Sequence, residues 1–252
     1  MRINQKAERL AEILKRLNTG ENPEQVRKEA QHLIEQLTPE ELSLAEQKLV
    51  DEGLAEEELR GLCSVHMEML QDELEQMKQE LSGGHVIGTM LAEHEILLTF
   101  LDQLEEANQR VQGANGYNEI DARQIAELGE KLLEAENHHQ REEQVLFPEL
   151  EKRGVSGPPR IMRMEHDDMR VMKKRVRDIG RAAEKQELPF AEFQQQLNEV
   201  APRLVFALRD HIFKENNILY PTALNMLEDE KLWAEMKQRC DEVGYCEFTP
   251  QD

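Results

Sequence analysis

Long apolar runs are missing from this chain: no stretch approaches the roughly 20 residues that span a bilayer as a helix, so no membrane span is expected. Aromatic residues make up only 4% and β-branched runs are scarce, which argues against sheets. Cysteine is sparse, with three in 252 residues at Cys63, Cys240 and Cys246. So small and odd a set makes no disulfide framework and suits a reducing compartment. Positive charge is in deficit: 31 Lys and Arg stand against 52 Asp and Glu, a formal net charge of −21. Such a field repels phosphate and anionic lipid, so nucleic acid is not an expected partner. The opening segment, MRINQKAERLAEILKRL, is amphipathic and lacks a signal-type apolar core. A cytoplasmic protein is expected.

Leu, Met, Glu, Gln and Ala dominate instead, and these are helix formers. The length permits one or two domains with a sizeable core. Residues 1–80 read as a small helical domain, with one helix from about Gln5 to Leu17 ended by Asn18-Thr19-Gly20. Pro23 suits the first turn of a second helix. Thr38 with Glu41 reads as a capping box, and Leu59–Leu81 as a longer helix ended at Ser82-Gly83-Gly84. Beyond that break, residues 84–228 carry four long helical patterns at about 86–112, 121–151, 158–184 and 190–228, and 229–252 form a helical tail. The loops between the four are short and rich in Gly and Pro, which predicts an all-α, up-down antiparallel four-helix bundle. Pro202 is expected to kink or split the fourth helix.

An internal repeat organises the histidines. His138-His139-Gln140-Arg141-Glu142 leads to Phe147-Pro148, and His211-Ile212-Phe213-Lys214-Glu215 leads to Tyr220-Pro221. Each half also carries an earlier Glu-His pair, Glu93-His94 and Glu165-His166; the lone histidine precedes its partner by 44 residues in one half and 45 in the other. At helical spacing, His94 falls on a stripe with Leu91, Leu97, Leu98 and Leu101. His138 and Glu142 fall with Leu128, Leu132 and Leu146. His166 falls with Met162, Met169 and Val176, and His211 and Glu215 with Leu204, Leu208 and Leu219. His139 competes with His138, since His139 and Glu143 are also four apart. The second half decides, because His211 lies 10 residues before Pro221 and His138 lies 10 before Pro148. His139 and Glu143 are then flanking residues or outer partners of the ligands.

A buried histidine is commonplace, but a buried carboxylate is costly unless paired or bound to a metal. His94, His138, Glu142, His166, His211 and Glu215 are therefore read as metal ligands. Imidazole with carboxylate suits Fe, Mn or Zn rather than a thiolate-type site. Six protein ligands exceed the needs of one tetrahedral zinc and divide over two metals, two histidines each, with shared glutamates. Positions then remain for O₂, NO, peroxide or water.

The segments LAEHEILL, HHQREEQVLFPEL, MEHDDM and HIFKENNILYP resemble the hemerythrin-like (HHE cation-binding) family over residues 85–225. The resemblance is closest to the subgroup with iron-centre repair proteins, which use four His and two bridging Glu. It implies a non-haem di-iron centre, bridged by carboxylate and by oxo or hydroxo. Hemerythrin's additional His and its Asp have no evident counterpart, which argues against classical O₂ carriage. The first 75 residues resemble the DUF438 domain through LNTGENPEQVRKEAQHLIEQLTPEELSLAEQKLVDEGL and LRGLCSVHMEM; the cysteine-bearing N-terminal module of the repair proteins is absent.

Three functions follow as expectations. The first is a small-ligand di-iron protein that binds or reduces O₂, NO or peroxide as sensor, scavenger or stress-response protein. The second is an iron-handling protein that repairs or supplies iron–sulfur centres. The third is a metal-responsive module whose residues 1–80 bind a protein partner. Cys63 with His66, and Cys240 with Cys246, read as packing rather than as metal or redox sites, and His85 as a helix-start residue. Tyr220 and Phe147 are expected near the metals, and Glu93 and Glu165 as outer groups or surface polar residues.

Overall fold

The computed structural model describes residues 84–250, together with residues 74, 77–79 and 81. The chain divides into two units, Met1–Glu80 and Leu81–Asp252, and the fold below is that of the second. The expectations for residues 1–80, including the capping box at Thr38 and the Cys63–His66 pair, lie outside the described residues, as do Ser82 and Gly83.

Helix α1 spans Val86–Gly113 and is capped by His85, whose Nδ1 accepts the Ile87 N–H at 3.2 Å. Asn118 caps α2, Glu119–Glu134, by accepting the Ile120 N–H at 3.0 Å. After a break at Ala135 the same rod continues as α3 (Glu136–Arg141), a π-helical turn (Glu142–Leu146) and α4 (Phe147–Glu151). Pro158 and Pro159 open α5, Gly157–Glu184, where a missing N–H costs nothing. The fourth rod is α6 (Phe190–Lys214), a second π-helical turn (Glu215–Leu219) and α7 (Tyr220–Met226); α8 (Glu230–Val243) follows. No strand occurs among the described residues.

The rods form a closed ring: α1 packs on α2, α2 on α5, α5 on α6 and α6 on α1. Sequence neighbours joined by short loops are thus spatial neighbours, the up-down arrangement. The core runs through Leu97, Leu101, Leu104, Ile125, Leu132, Val176, Leu197, Leu204 and Leu208, all buried, each worth about 1.5–3 kcal/mol relative to exposure. Helices α2 and α5 approach each other closely. A Cβ on Gly129 would meet the backbone of Arg177, and one on Gly180 would meet that of Ala126. The tail helix α8 packs on α3, α1 and the first π turn, burying Met236 and Cys240.

Of the two outcomes expected at Pro202, the split does not occur. Helix α6 runs unbroken through Pro202. Pro202 is exposed, and so is Asn198, whose carbonyl the missing N–H would have engaged, so water can satisfy that acceptor. The irregularities fall instead at Glu142 and Glu215. There the Phe147 N–H bonds the Glu142 carbonyl and the Tyr220 N–H bonds the Glu215 carbonyl, one residue wider than an α-turn. Each widened turn lies just before a proline, Pro148 or Pro221, which cannot donate and would crowd an α-helical carbonyl.

Candidate metal centre

Each rod delivers part of one buried cluster. Helix α1 brings His94, α3 brings His138 and the π turn after it Glu142; α5 brings His166, α6 His211 and the second π turn Glu215. All six are essentially inaccessible to solvent. The π turns start at the two glutamates, a placement often found at functional sites.

The imidazoles pair through their Nε2 atoms. His94 Nε2 lies 3.1 Å from His138 Nε2, and His166 Nε2 lies 2.9 Å from His211 Nε2. Every Nδ1 is engaged outward. His138 Nδ1 donates to Glu93 Oε2 at 2.6 Å, His166 Nδ1 to Glu143 Oε1 at 2.8 Å, and His211 Nδ1 to Glu165 Oε2 at 2.7 Å. His94 Nδ1 donates to Asn216 Oδ1 at 2.6 Å. These partners fix the tautomer, so the Nε2 atoms present lone pairs to each other.

The glutamates lie between the pairs. Glu215 Oε2 is 3.2 Å from His94 Nε2, while its Oε1 is 2.7 Å from His211 Nε2 and 3.8 Å from His166 Nε2. Glu142 Oε2 is 3.4 Å from His166 Nε2 and 3.7 Å from His138 Nε2. Its Oε1 accepts from the Tyr220 hydroxyl at 2.8 Å. Two donor groups result: Glu142, His166, His211 and Glu215, and then His94, His138 and Glu215, with the atoms of each group within 4.8 Å of one another.

This arrangement fits cations. Two lone pairs about 3 Å apart repel unless something positive lies between them, and two nitrogens each about 2.1 Å from one ion at a right angle stand about 3.0 Å apart. Glu142 Oε2 and Glu215 Oε1 are buried with no hydrogen-bond donor, a cost that an ion removes. Without one, protons serve. Burial and the charge of Glu215 hold the Glu142 carboxyl well above the usual range. Burial opposes a charge on Glu215 too, but the positive charge of His211 and the imidazoles around it hold it well below. His211 is lowered by burial yet pushed up to about 9 by Glu215 and Glu165. Burial pushes His138 down to about 4.

The outer groups are ordered in turn. Glu93 accepts from Arg141 Nη2 at 2.5 Å and from Thr249 Oγ1 at 2.5 Å; burial opposes its ionisation, but His138, Arg141 and Thr249 hold it down at about 2. Glu165 is held by Lys214, and Glu143 by Arg170 at 2.9 Å. Glu93 and Glu165 are thus partners of histidines rather than plain surface residues. His139 is buried, stacked on His166 at 3.9 Å between centroids, and its Nε2 faces the buried Lys173 at 3.5 Å. His85 caps α1 and lies against Trp233. Tyr220 and Phe147 stack on His94 and His166 respectively. Sequence reasoning missed Asn216, Arg141, Lys173 and Thr249. Asn216 and Arg141 carried a signal in the repeat: Asn216 follows Glu215 as Glu143 follows Glu142, and Arg141 precedes Glu142 as Lys214 precedes Glu215.

Among known protein families, the model described as Hemerythrin HHE cation binding domain matches residues 85–223, and that described as Family of unknown function (DUF438) matches residues 10–76. No curated protein matches the chain.

Proposed function

The chain belongs to the hemerythrin HHE cation binding domain family, and from that premise we propose that it is a non-haem di-iron protein that binds or reduces O₂, NO or peroxide as a sensor or stress-response protein. The observation that carries this reading is the pairing of Nε2 atoms at 2.9 and 3.1 Å while each Nδ1 is engaged elsewhere. Such a donor set asks for two cations, one beside each pair, with Glu215 reaching both. Imidazole and carboxylate together suit iron, and the absence of thiolate from the cluster sets it apart from sulfur-rich sites. When bound, ferrous ions would supply electrons and coordination positions open to a small ligand.

The protein's own contribution is positional. Carboxylates on the Nδ1 atoms of His138, His166 and His211 orient these imidazoles and raise their basicity, and the Asn216 amide orients His94. The leucine core and the rings of Tyr220 and Phe147 keep the site dry, which strengthens every charge interaction in it. Cys240 and Cys246 are free thiols, in keeping with a reducing, cytoplasmic setting. Among the described residues no helix is long and apolar enough to cross a membrane.

The test is anaerobic loading with iron, metal analysis, and optical spectra on adding O₂, NO and peroxide. Two irons per chain and a spectral change with at least one ligand are expected. Fewer than about one iron per chain, or spectra indifferent to all three, contradicts the reading.

A further inference from the structure

The two halves of the bundle correspond residue for residue around the cluster, and the places where they differ are informative. His94 answers to His166, His138 to His211, Glu142 to Glu215, Glu93 to Glu165 and Arg141 to Lys214. In each half the residue after the cluster's glutamate holds the lone histidine of the other half. In the first this residue is Glu143, on His166 Nδ1 at 2.8 Å; in the second it is Asn216, on His94 Nδ1 at 2.6 Å. A second difference lies four residues further on, where Phe147 answers to Tyr220. The Tyr220 hydroxyl holds Glu142 Oε1 at 2.8 Å and stands 3.5 and 3.4 Å from the Nε2 atoms of His94 and His138.

We propose that the two cation positions are unequal by construction: the one at His166 and His211 is tight, and the one at His94 and His138 is weak and exchangeable. This rests on the reading of a two-cation centre. Two independent observations carry it. The tight position has both glutamates in its donor group, whereas the weak one has Glu215 alone: Glu142 Oε2 stands 3.7 Å from His138 but joins no group with His94, and its other oxygen is held by Tyr220. Moreover, both histidines of the tight position donate to carboxylates, while His94 of the weak one donates to a neutral amide. A carboxylate partner makes an imidazole the better ligand, and losing such a partner costs roughly 10–100-fold in metal affinity.

The surrounding cations do not reverse the order. Arg141, behind Glu93, is buried, whereas Arg170 and Lys214, behind Glu143 and Glu165, are partly exposed and more strongly screened. Lys173 opposes, but it contacts His139, one ring further out than His166.

The experiment uses the full chain stripped of metal and titrated anaerobically with ferrous ion, followed by calorimetry and metal analysis. Crystals loaded with one equivalent are examined by anomalous diffraction. Two equivalents should bind in steps at least about tenfold apart, with the first anomalous peak beside His166 and His211. Asn216→Asp should tighten the second step about tenfold or more, and Glu143→Gln should weaken the first by a similar factor. Two equivalents of equal affinity, or a first peak beside His94 and His138, overturn the inference and leave the two-cation reading standing. Binding of fewer than two equivalents overturns both. If Asn216→Asp does not fold, the anomalous peak in the unmodified chain decides alone.

Discussion

His166 Nε2 and His211 Nε2 stand 2.9 Å apart with both Nδ1 protons already donated to Glu143 and Glu165. Without an ion, a proton on His211 relieves the contact between the two nitrogens; an ion held by both bonds to each, and binding must stabilise the fold. A cation at a thousand times its Kd adds about 4 kcal/mol. At about 2–4 °C per kcal/mol for a domain of this size, stripping the metal should lower Tm by roughly 8–16 °C. Scanning calorimetry of loaded and chelator-stripped chain checks this. An unchanged Tm would mean that the cluster tolerates its own lone pairs.

Glu142 and Glu215 should not be equivalent on substitution. Glu215 reaches both imidazole pairs, whereas Glu142 belongs to one donor group. Glu215→Gln should therefore bring metal content after gel filtration from about two per chain to below one, while Glu142→Gln should leave about one. The Glu142 carboxyl, held well above its usual range by burial and Glu215, favours its protonated form without metal, so the amide resembles that state and the stripped fold should survive. The opposite ranking of the two variants would show that Glu142 is the shared ligand.

Much of this centre is legible in the residue order because the bundle repeats itself. Counting from Pro148 and Pro221 places His138 with His211, and the count works because each proline follows a π turn of the same length. The turns themselves were hidden: a one-residue widening leaves the apolar stripe nearly unchanged. His139 reads by that count as a flanking or outer group rather than a ligand, and it lies buried against His166. Thr249 and Arg141 reach Glu93 from 156 and 48 residues away, and no local pattern reports a contact made by packing.

The thiols of the tail should be inert near neutral pH. Burial, with the Glu93 charge adding, pushes Cys246 up to about 12, and burial pushes Cys240 up to about 11. The reactive thiolate is the deprotonated form, so below these values both are thiols, and reactivity rises with pH. At pH 8 the thiolate fraction of Cys240 is about 10⁻³, against about a quarter for an ordinary cysteine. Alkylation in a Cys63→Ser chain should thus be at least about 100-fold slower than in the same chain unfolded. Rapid labelling at pH 8 would show that the segment carrying Thr249 opens away from Glu93, and so that the outer partner of His138 is exposed intermittently.

Gly129 and Gly180 should resist replacement by alanine although both lie inside helices. In an isolated helix Gly→Ala gains about 1 kcal/mol. Here the added methyl of Gly180→Ala meets the backbone nitrogen and Cα of Ala126, and that of Gly129→Ala meets the backbone of Arg177, both closer than carbon atoms approach. Backbone cannot rotate aside as a side chain can, so α2 and α5 must separate. Overpacking of this kind costs about 1–3 kcal/mol and occasionally more, enough to cancel the propensity gain and leave each variant less stable by up to about 2 kcal/mol. The separation also carries to the candidate metal centre, because α5 positions His166 and the rod begun by α2 positions His138 and Glu142. Urea unfolding of the stripped chain measures the first effect, and ferrous-ion affinity of the folded variant the second. Gly113→Ala, at the end of α1 where nothing lies within 4 Å of the new methyl, is the matched control and should be neutral or slightly stabilising. Gains in stability at both Gly129 and Gly180 would mean that the two helices do not approach as closely as the structure has them.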